Sequence, residues 1–178
     1  MKTFTFNTAA SIRFGNGLLS ELGTMVQSSI GSRVLLVTDP GMMATGIVDK
    51  AVDTLKAAGV DVALFQDVQA DPPESVVKYC AEAAIEHSAQ GVIGLGGGSS
   101  LDVAKLAALL APGNEGLKDI YGVGNAKGPR LPLILVPTTS GTGSEVTPIS
   151  IVTTGTNEKM GVVSPVIIPD IALLDPEL

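Results

Sequence analysis

The chain has 178 residues and a net charge of −7, with eleven Lys plus Arg against eighteen Asp plus Glu. This length suits one domain and can bury roughly 70% of the surface of the unfolded chain without a disulfide staple. An acidic chain with no basic cluster argues against nucleic acid or an anionic membrane as partner, and one Cys and one His exclude a disulfide framework and a self-contained multi-histidine or Cys-based metal site.

Along the chain, Thr3 to Asn7 and Ile12 to Phe14 read as two short strands, and Leu18, Leu19, Leu22, Met25 and Val26 follow at helical spacing. Arg33 to Val37 is an apolar run of strand length that leads to Thr38 and the carboxylate of Asp39. Ile47, Val48, Ala51, Val52 and Leu55 mark the next helix, with Gly59 placed to end it. Asp61 to Phe65 reads as a second core strand, and Val76, Val77, Cys80, Ala84 and Ile85 as another amphipathic helix. Gly91 to Leu95 is a third strand, Leu101 to Ala111 a third core helix, and Leu133 to Val136 a fourth strand. From Pro148 onward the chain is rich in Ile and Val and broken by Gly and Pro, which predicts further strands, antiparallel or at an edge. Alternating strands and helices predict an α/β protein with a parallel sheet, its ligands held at the carboxyl ends of the strands. The start MKTFTFNTAAS lacks a signal peptide's apolar run, and no stretch approaches the ~20 apolar residues of a membrane span. A cytoplasmic protein is expected, the single cysteine suiting a reducing compartment.

Gly94-Leu-Gly-Gly-Gly-Ser-Ser-Leu-Asp102 is the sharpest local feature. Glycines let a backbone approach a phosphate closely, and the helix expected to open at Ser99 offers unpaired N–H groups and a positive dipole end. A Gly-rich turn followed by a capping box, Ser99-x-x-Asp102, also fits, but capping does not need three consecutive glycines. In the usual dinucleotide fingerprint the glycine loop follows the first strand and an acid comes later. Here Asp39 comes first and the glycines two strands on. If both strand ends share one sheet edge, Asp39 can bond ribose hydroxyls while the loop holds pyrophosphate. An acid there repels a 2′-phosphate and favours NAD over NADP. Asp39 equally suits a turn before Pro40-Gly41.

Thr138 to Thr147 carries six hydroxyl side chains and two glycines in ten positions, directly after the fourth strand. Such a loop can wrap sugar and amide groups or satisfy its own backbone. Lys105, one turn from Asp102, reads as a surface i,i+3 partner. His87 and Cys80 read as packing residues, and Lys159 lies in a polar turn from Thr153 to Lys159.

Together these motifs resemble the iron-containing (group III) alcohol dehydrogenases. The matching elements are Val37-Thr-Asp-Pro-Gly41, Gly96-Gly-Gly-Ser-x-x-Asp-x-Ala-Lys105, Pro137-Thr-Thr-Ser-Gly-Thr-Gly-Ser-Glu-Val-Thr147 and Pro169-Asp-Ile-Ala-Leu-Leu-Asp-Pro176. The resemblance implies a Rossmann-like sheet flanked by helices, with extra N-terminal and C-terminal β segments. The whole of residues 1–178 is then one dinucleotide-binding domain of an enzyme that moves hydride between an alcohol and an aldehyde or ketone. On the matched positions Asp39 would set the ribose preference, and Gly97, Gly98 and Ser99 would hold pyrophosphate. Thr138, Thr139 and Thr142 would line the adenosine and ribose side, and Asp71, Ser144, Thr147 and Lys159 would make further cofactor contacts. Asp102, the candidate catalytic residue, would face the nicotinamide end.

The family's divalent metal, iron or zinc, is held by one Asp and three His of a C-terminal all-helical domain. That domain would lie beyond Leu178, and no histidine follows His87. No metal ligand is therefore assigned in this chain, which by itself is expected not to oxidise alcohols. A non-catalytic nucleotide-binding module, or a dehydroquinate synthase-like enzyme, is the alternative reading; the hydroxyl-rich segment favours the alcohol dehydrogenases over the latter. The expected partners are a small alcohol or aldehyde and, through apolar surface, further copies of the chain.

Overall fold

The computed structural model describes residues 3–156 and 158–178. Six parallel strands form the central sheet, in the order β1-β9-β6-β4-β2-β3. They are β1 (Ser11–Phe14), β2 (Arg33–Val37), β3 (Asp61–Phe65), β4 (Gly91–Gly96), β6 (Leu133–Pro137) and β9 (Ile171–Leu174). Side chains alternate across this sheet, as strand geometry demands. Leu35 and Val37 of β2 and Leu133 and Leu135 of β6 enter one core with helices α4 (Glu74–Glu86) and α5 (Gly98–Leu110). Val34, Leu36, Ile134 and Val136 enter the other, with α1 (Leu22–Ser29) and α3 (Ile47–Ala57).

The path of the chain fixes where a ligand can sit. From β2 it crosses through the four-residue α2 (Pro40–Met43) and α3 to β3 on one side, then returns through α4 to β4 on the other side of β2. The direction of winding reverses between β2 and β4, so a crevice opens outside their carboxyl ends. α5 packs tightly behind β4 because Gly94 has no side chain. A Cβ there would stand 2.7 Å from Leu135 Cδ2 and 2.8 Å from Ala104 Cβ.

A second sheet, β5-β8-β7, combines an antiparallel hairpin of β7 (Ile149–Thr153) and β8 (Lys159–Val163) with the short parallel strand β5 (Gly122–Val123). Its buried Val152 and Val162 pack into the α4/α5 core.

Four expectations need correction. Residues 3–9 form no strand; Phe4 and Phe6 are 75% and 80% exposed, and the segment has no ladder partner among the described residues. β3 is an edge strand and half-exposed, because the winding leaves it outermost. The tail gives the expected antiparallel hairpin, but β9 enters the parallel sheet between β1 and β6, with Ile171, Ala172 and Leu173 buried. Burial on both faces is what its continuous apolar run serves. Finally, α5 opens at Gly98 with Gly97 as N-cap, so the Ser99-x-x-Asp102 capping box does not form.

Candidate functional site

Asp39 and the glycine turn do meet. Asp39 ends the β2 segment as N-cap of α2, accepting from Met42 N at 3.1 Å through Oδ1. Its Oδ2 accepts from Ser100 Oγ at 2.9 Å, which ties the end of β2 to the first turn of α5. The turn role and the position at the ligand edge therefore coexist in one residue. Gly96 makes the approach possible: its φ is +143°, and a Cβ there would lie 3.0 Å from Ser100 Oγ and 3.1 Å from Asp39 Oδ2.

The start of α5 is unusually open. Gly97 supplies no side-chain cap, so the first N–H groups of a 13-residue helix face outward without a side-chain acceptor. They border a cleft of about 480 Å³ whose walls are Asp39, Pro40, Val68, Gln69, Ala70, Gly97, Gly98, Ser99 and Ser100. Sequence reasoning missed Gln69 and Ser100 here. Nothing local marks Gln69, because the β3–α4 loop reaches the site only through the sheet order.

Gly98 and Ser99 also wall a neighbouring cleft of about 400 Å³, which gathers Asp71, Asp102, Thr142, Ser144, Thr147 and Lys159, with the exposed faces of Ile149 and Ile151. Gly98 is where the hydroxyl-rich loop crosses: a Cβ there would stand 2.8 Å from Thr142 Cγ2. Asp71 has a left-handed φ of +52°, and its Oδ1 pairs with Lys159 Nζ at 2.6 Å. Asn157, within the polar turn ahead of Lys159, lies outside the described residues.

The hydroxyl-rich loop divides between two depressions, with Thr138 to Gly141 and Glu145 on one and Thr142, Ser144 and Thr147 on the other. Thr138 and Thr139 line a third depression with Phe14, Leu174, Asp175 and Leu178. Thr138 Oγ1 donates to Met42 Sδ at 3.4 Å, while Thr139 approaches Gly97. Thr139 thus stands beside Gly97 and Thr142 beside Gly98.

Lys105 differs most from its sequence reading. It is fully buried, not a surface partner. Its Nζ donates to Thr147 O at 3.1 Å and Ile149 O at 2.8 Å, and lies 3.7 Å from Asp102 Oδ1. Burial lowers the Lys105 pKa to about 8, against the opposing charges of Asp102 and Glu145. Asp102 accepts from Ile151 N at 3.1 Å through Oδ2, whereas the enclosed Oδ1 has no hydrogen-bond donor. Burial raises the Asp102 pKa, outweighing the Lys105 charge and the Ile151 hydrogen bond. His87 and Cys80 lie away from all three depressions; Cys80 is buried and burial pushes its thiol pKa up.

Among the described residues no group of three or more His, Cys, Asp or Glu side chains could hold a metal ion. No helix is long and apolar enough to cross a membrane.

The fold and its switch-point cleft together define a doubly wound α/β domain, of the class that takes its ligand at the switch point of a parallel sheet. The family model for iron-containing alcohol dehydrogenases matches residues 9–176, and the chain belongs to that family. A sulfoacetaldehyde reductase of Bilophila wadsworthia is 39% identical over 177 residues, which is 98% of this chain and 46% of that protein. The crystal structure of a 1,3-propanediol oxidoreductase superposes with a TM-score of 0.94 at 30% identity, covering 99% of this chain and 46% of the other. A sulfoacetaldehyde reductase from Bifidobacterium kashiwanohense, solved in complex with NAD+, gives 0.88 at 30% identity, with coverages of 99% and 47%. The chain spans a little under half the length of these relatives.

Proposed function

We propose that residues 1–178 form one dinucleotide-binding domain, the cofactor-holding part of an NAD-dependent alcohol dehydrogenase acting on a small alcohol, aldehyde or ketone. The observation that carries this reading is the uncapped N-terminus of α5 facing Asp39 across the switch-point cleft. Backbone N–H groups at Gly98 and Ser99, with the helix dipole behind them, suit a pyrophosphate. The gap above Gly97, where an added Cβ would meet nothing closer than 3.8 Å, leaves room for one.

On this reading Asp39 accepts hydrogen bonds from the adenosine ribose through lone pairs that Met42 N and Ser100 Oγ leave free, and repels a 2′-phosphate. Thr138 and Thr139 hold the adenosine side. Asp71, Thr142, Ser144, Thr147 and Lys159 hold the second half of the cofactor, and Asp102 faces its nicotinamide end. The nicotinamide, when bound, accepts or returns the hydride. The metal of the family's name finds no ligand cluster among the described residues. A cytoplasmic setting and self-association belong to the same reading, the second supported by the exposed Phe4, Phe6 and Phe14.

Calorimetric titration of the 178-residue chain with NADH and NADPH tests this. NADH is expected to bind more tightly, and Asp39→Gly to shift the NADH/NADPH preference toward NADPH by about tenfold or more, the size of one lost charge-assisted interaction. Absence of binding by either nucleotide counts against the reading, and an unchanged ratio in the variant removes Asp39 from it.

A further inference from the structure

Lys105 has the largest fully buried side chain among the described residues, and it lies directly beneath the wall of the second cleft. Two of its three N–H bonds go to Thr147 O and Ile149 O, residues 42 and 44 positions away, at the entry to β7. Thr147, Ile149 and Ile151 then present their side chains to the cleft. Its charge lies 3.7 Å from Asp102 Oδ1, the enclosed oxygen that has no hydrogen bond of ordinary length, and Ser144 is the other polar side chain acting on this carboxylate.

We propose that Lys105 is a positioning residue of this site: it pins the entry of β7 to α5 and keeps Asp102 ionised, so that the cleft offers its ligand a hydrogen-bond acceptor and not a proton.

The physical reason is the environment of the carboxylate. The Asp102 side chain is only 13% exposed, and an enclosed carboxylate oxygen without a donor takes up a proton unless a counter-charge lies beside it. Burial does push Asp102 toward the neutral form, and the Lys105 charge is the largest influence opposing it. An ionised carboxylate only accepts hydrogen bonds, whereas a protonated one also donates. Lys105 therefore sets the polarity of a group that faces the ligand, while it touches no part of the cleft surface itself. The other charge acting on Lys105 is Glu145, from the loop ahead of β7. On α4, which packs against α5, Cys80 is a neutral thiol held so by burial. Lys159 and Asp71, elsewhere in the cleft wall, pair with each other. The inference rests on the dinucleotide reading only for what the acceptor is for.

The coupling is measurable without any ligand. Carboxyl carbon NMR of the 178-residue chain follows the Asp102 titration in the wild type, in K105M and in K105R. Loss of the cation is expected to weaken the acidity of Asp102 about tenfold or more, and K105R to restore most of it. An Asp102 midpoint unmoved in K105M overturns the proposal. If K105M does not fold, D102N gives the reciprocal measurement. The amine midpoint of Lys105 should then fall, and an unmoved midpoint is equally fatal.

NADH titration separates this inference from the reading it rests on. Weaker NADH binding by K105M, recovered in part by K105R, supports the positioning role. Undiminished binding alongside a shifted Asp102 overturns that role. Failure of the wild type to bind NADH, with the coupling intact, counts against the dinucleotide reading and leaves the control of Asp102 by Lys105 standing.

Discussion

Two of the ion pairs between a basic side chain and an aspartate, Arg130–Asp170 and Lys105–Asp102, are built on opposite principles. Arg130 and Asp170 fasten the chain ahead of β6 to the chain ahead of β9. Arg130 Nη1 and Nη2 reach the two carboxylate oxygens at 2.7 and 3.1 Å, and Leu133 N adds a bond of 2.8 Å to Oδ2. Arg130 spends its remaining donors on the carbonyls of Val166, Leu131 and Ile168. Burial alone would raise the Asp170 pKa, but the bonds from Arg130 and Leu133 outweigh it and hold the carboxyl below its ordinary value. In the Lys105–Asp102 pair the balance reverses, leaving one carboxylate oxygen without a donor and the lysine's pKa depressed. A saturated pair serves architecture, whereas an unsaturated buried pair in a cleft wall is the arrangement that the proposed site requires.

Removing the arginine breaks the saturated member most severely. Arg130→Ala leaves three carbonyls and the half-exposed Asp170 without their partner, and is expected to cost about 3 kcal/mol in urea unfolding, in line with the loss of several charge-assisted hydrogen bonds from one mostly buried guanidinium. It should also flatten the acid limb of stability. A carboxyl with a depressed folded pKa stabilises above its unfolded pKa, and that contribution disappears as pH falls through the folded one. A wild-type-like midpoint for Arg130→Ala would mean that water replaces those bonds without cost, and would dissolve the contrast.

The unsaturated pair leaves its pH signature at the alkaline end of the scale. The folded pKa of Lys105 is about 8 against an ordinary value of 10.5, so between those values the unfolded chain binds more protons than the folded one. Stability therefore rises with pH in that window, by on the order of 2 kcal/mol between pH 8 and pH 10. Chemical unfolding across this range, with K105M as reference, isolates the effect, because the variant lacks the titrating amine. Equal slopes for the two proteins would show that water reaches Lys105.

The same pair shows where sequence reading succeeds and where it stops. Asp39 and the Gly96–Gly98 turn were legible because each closes an apolar strand, and local pattern places them at one sheet edge once the strands run parallel. Lys105 was not legible. Its i,i+3 spacing from Asp102 is the same on a surface or in a core, and the carbonyls that hold it arrive from a hairpin more than forty residues later. Nor does any local signal seat β9 between β1 and β6, since its partners are chosen by the sheet. The capping box failed for a local reason of a different kind, because Gly97 had already taken the N-cap position that the pattern assigned to Ser99.

A third pair sharpens the comparison at its weakest end. Lys159 and Asp71 meet at 2.6 Å in the wall of the second cleft, yet their side chains are 60% and 69% exposed. Water screens such a pair, and ordering two exposed side chains offsets much of the attraction, so Lys159→Ala is expected to change stability by no more than about 0.5 kcal/mol. If Lys159 holds the second half of the cofactor, the same variant should lose several-fold in NADH affinity while its unfolding curve barely moves. Asp71 gives the alternative a specific form, because its left-handed φ of +52° needs support from its surroundings. Thr153 already provides some, donating through N to Pro72 O at 2.9 Å and through Oγ1 to Asp71 O at 3.1 Å. A stability loss well above 0.5 kcal/mol would therefore show that the ion pair, and not this backbone lacing, holds the Asp71 turn in place, and Lys159 would move from the ligand site to the scaffold.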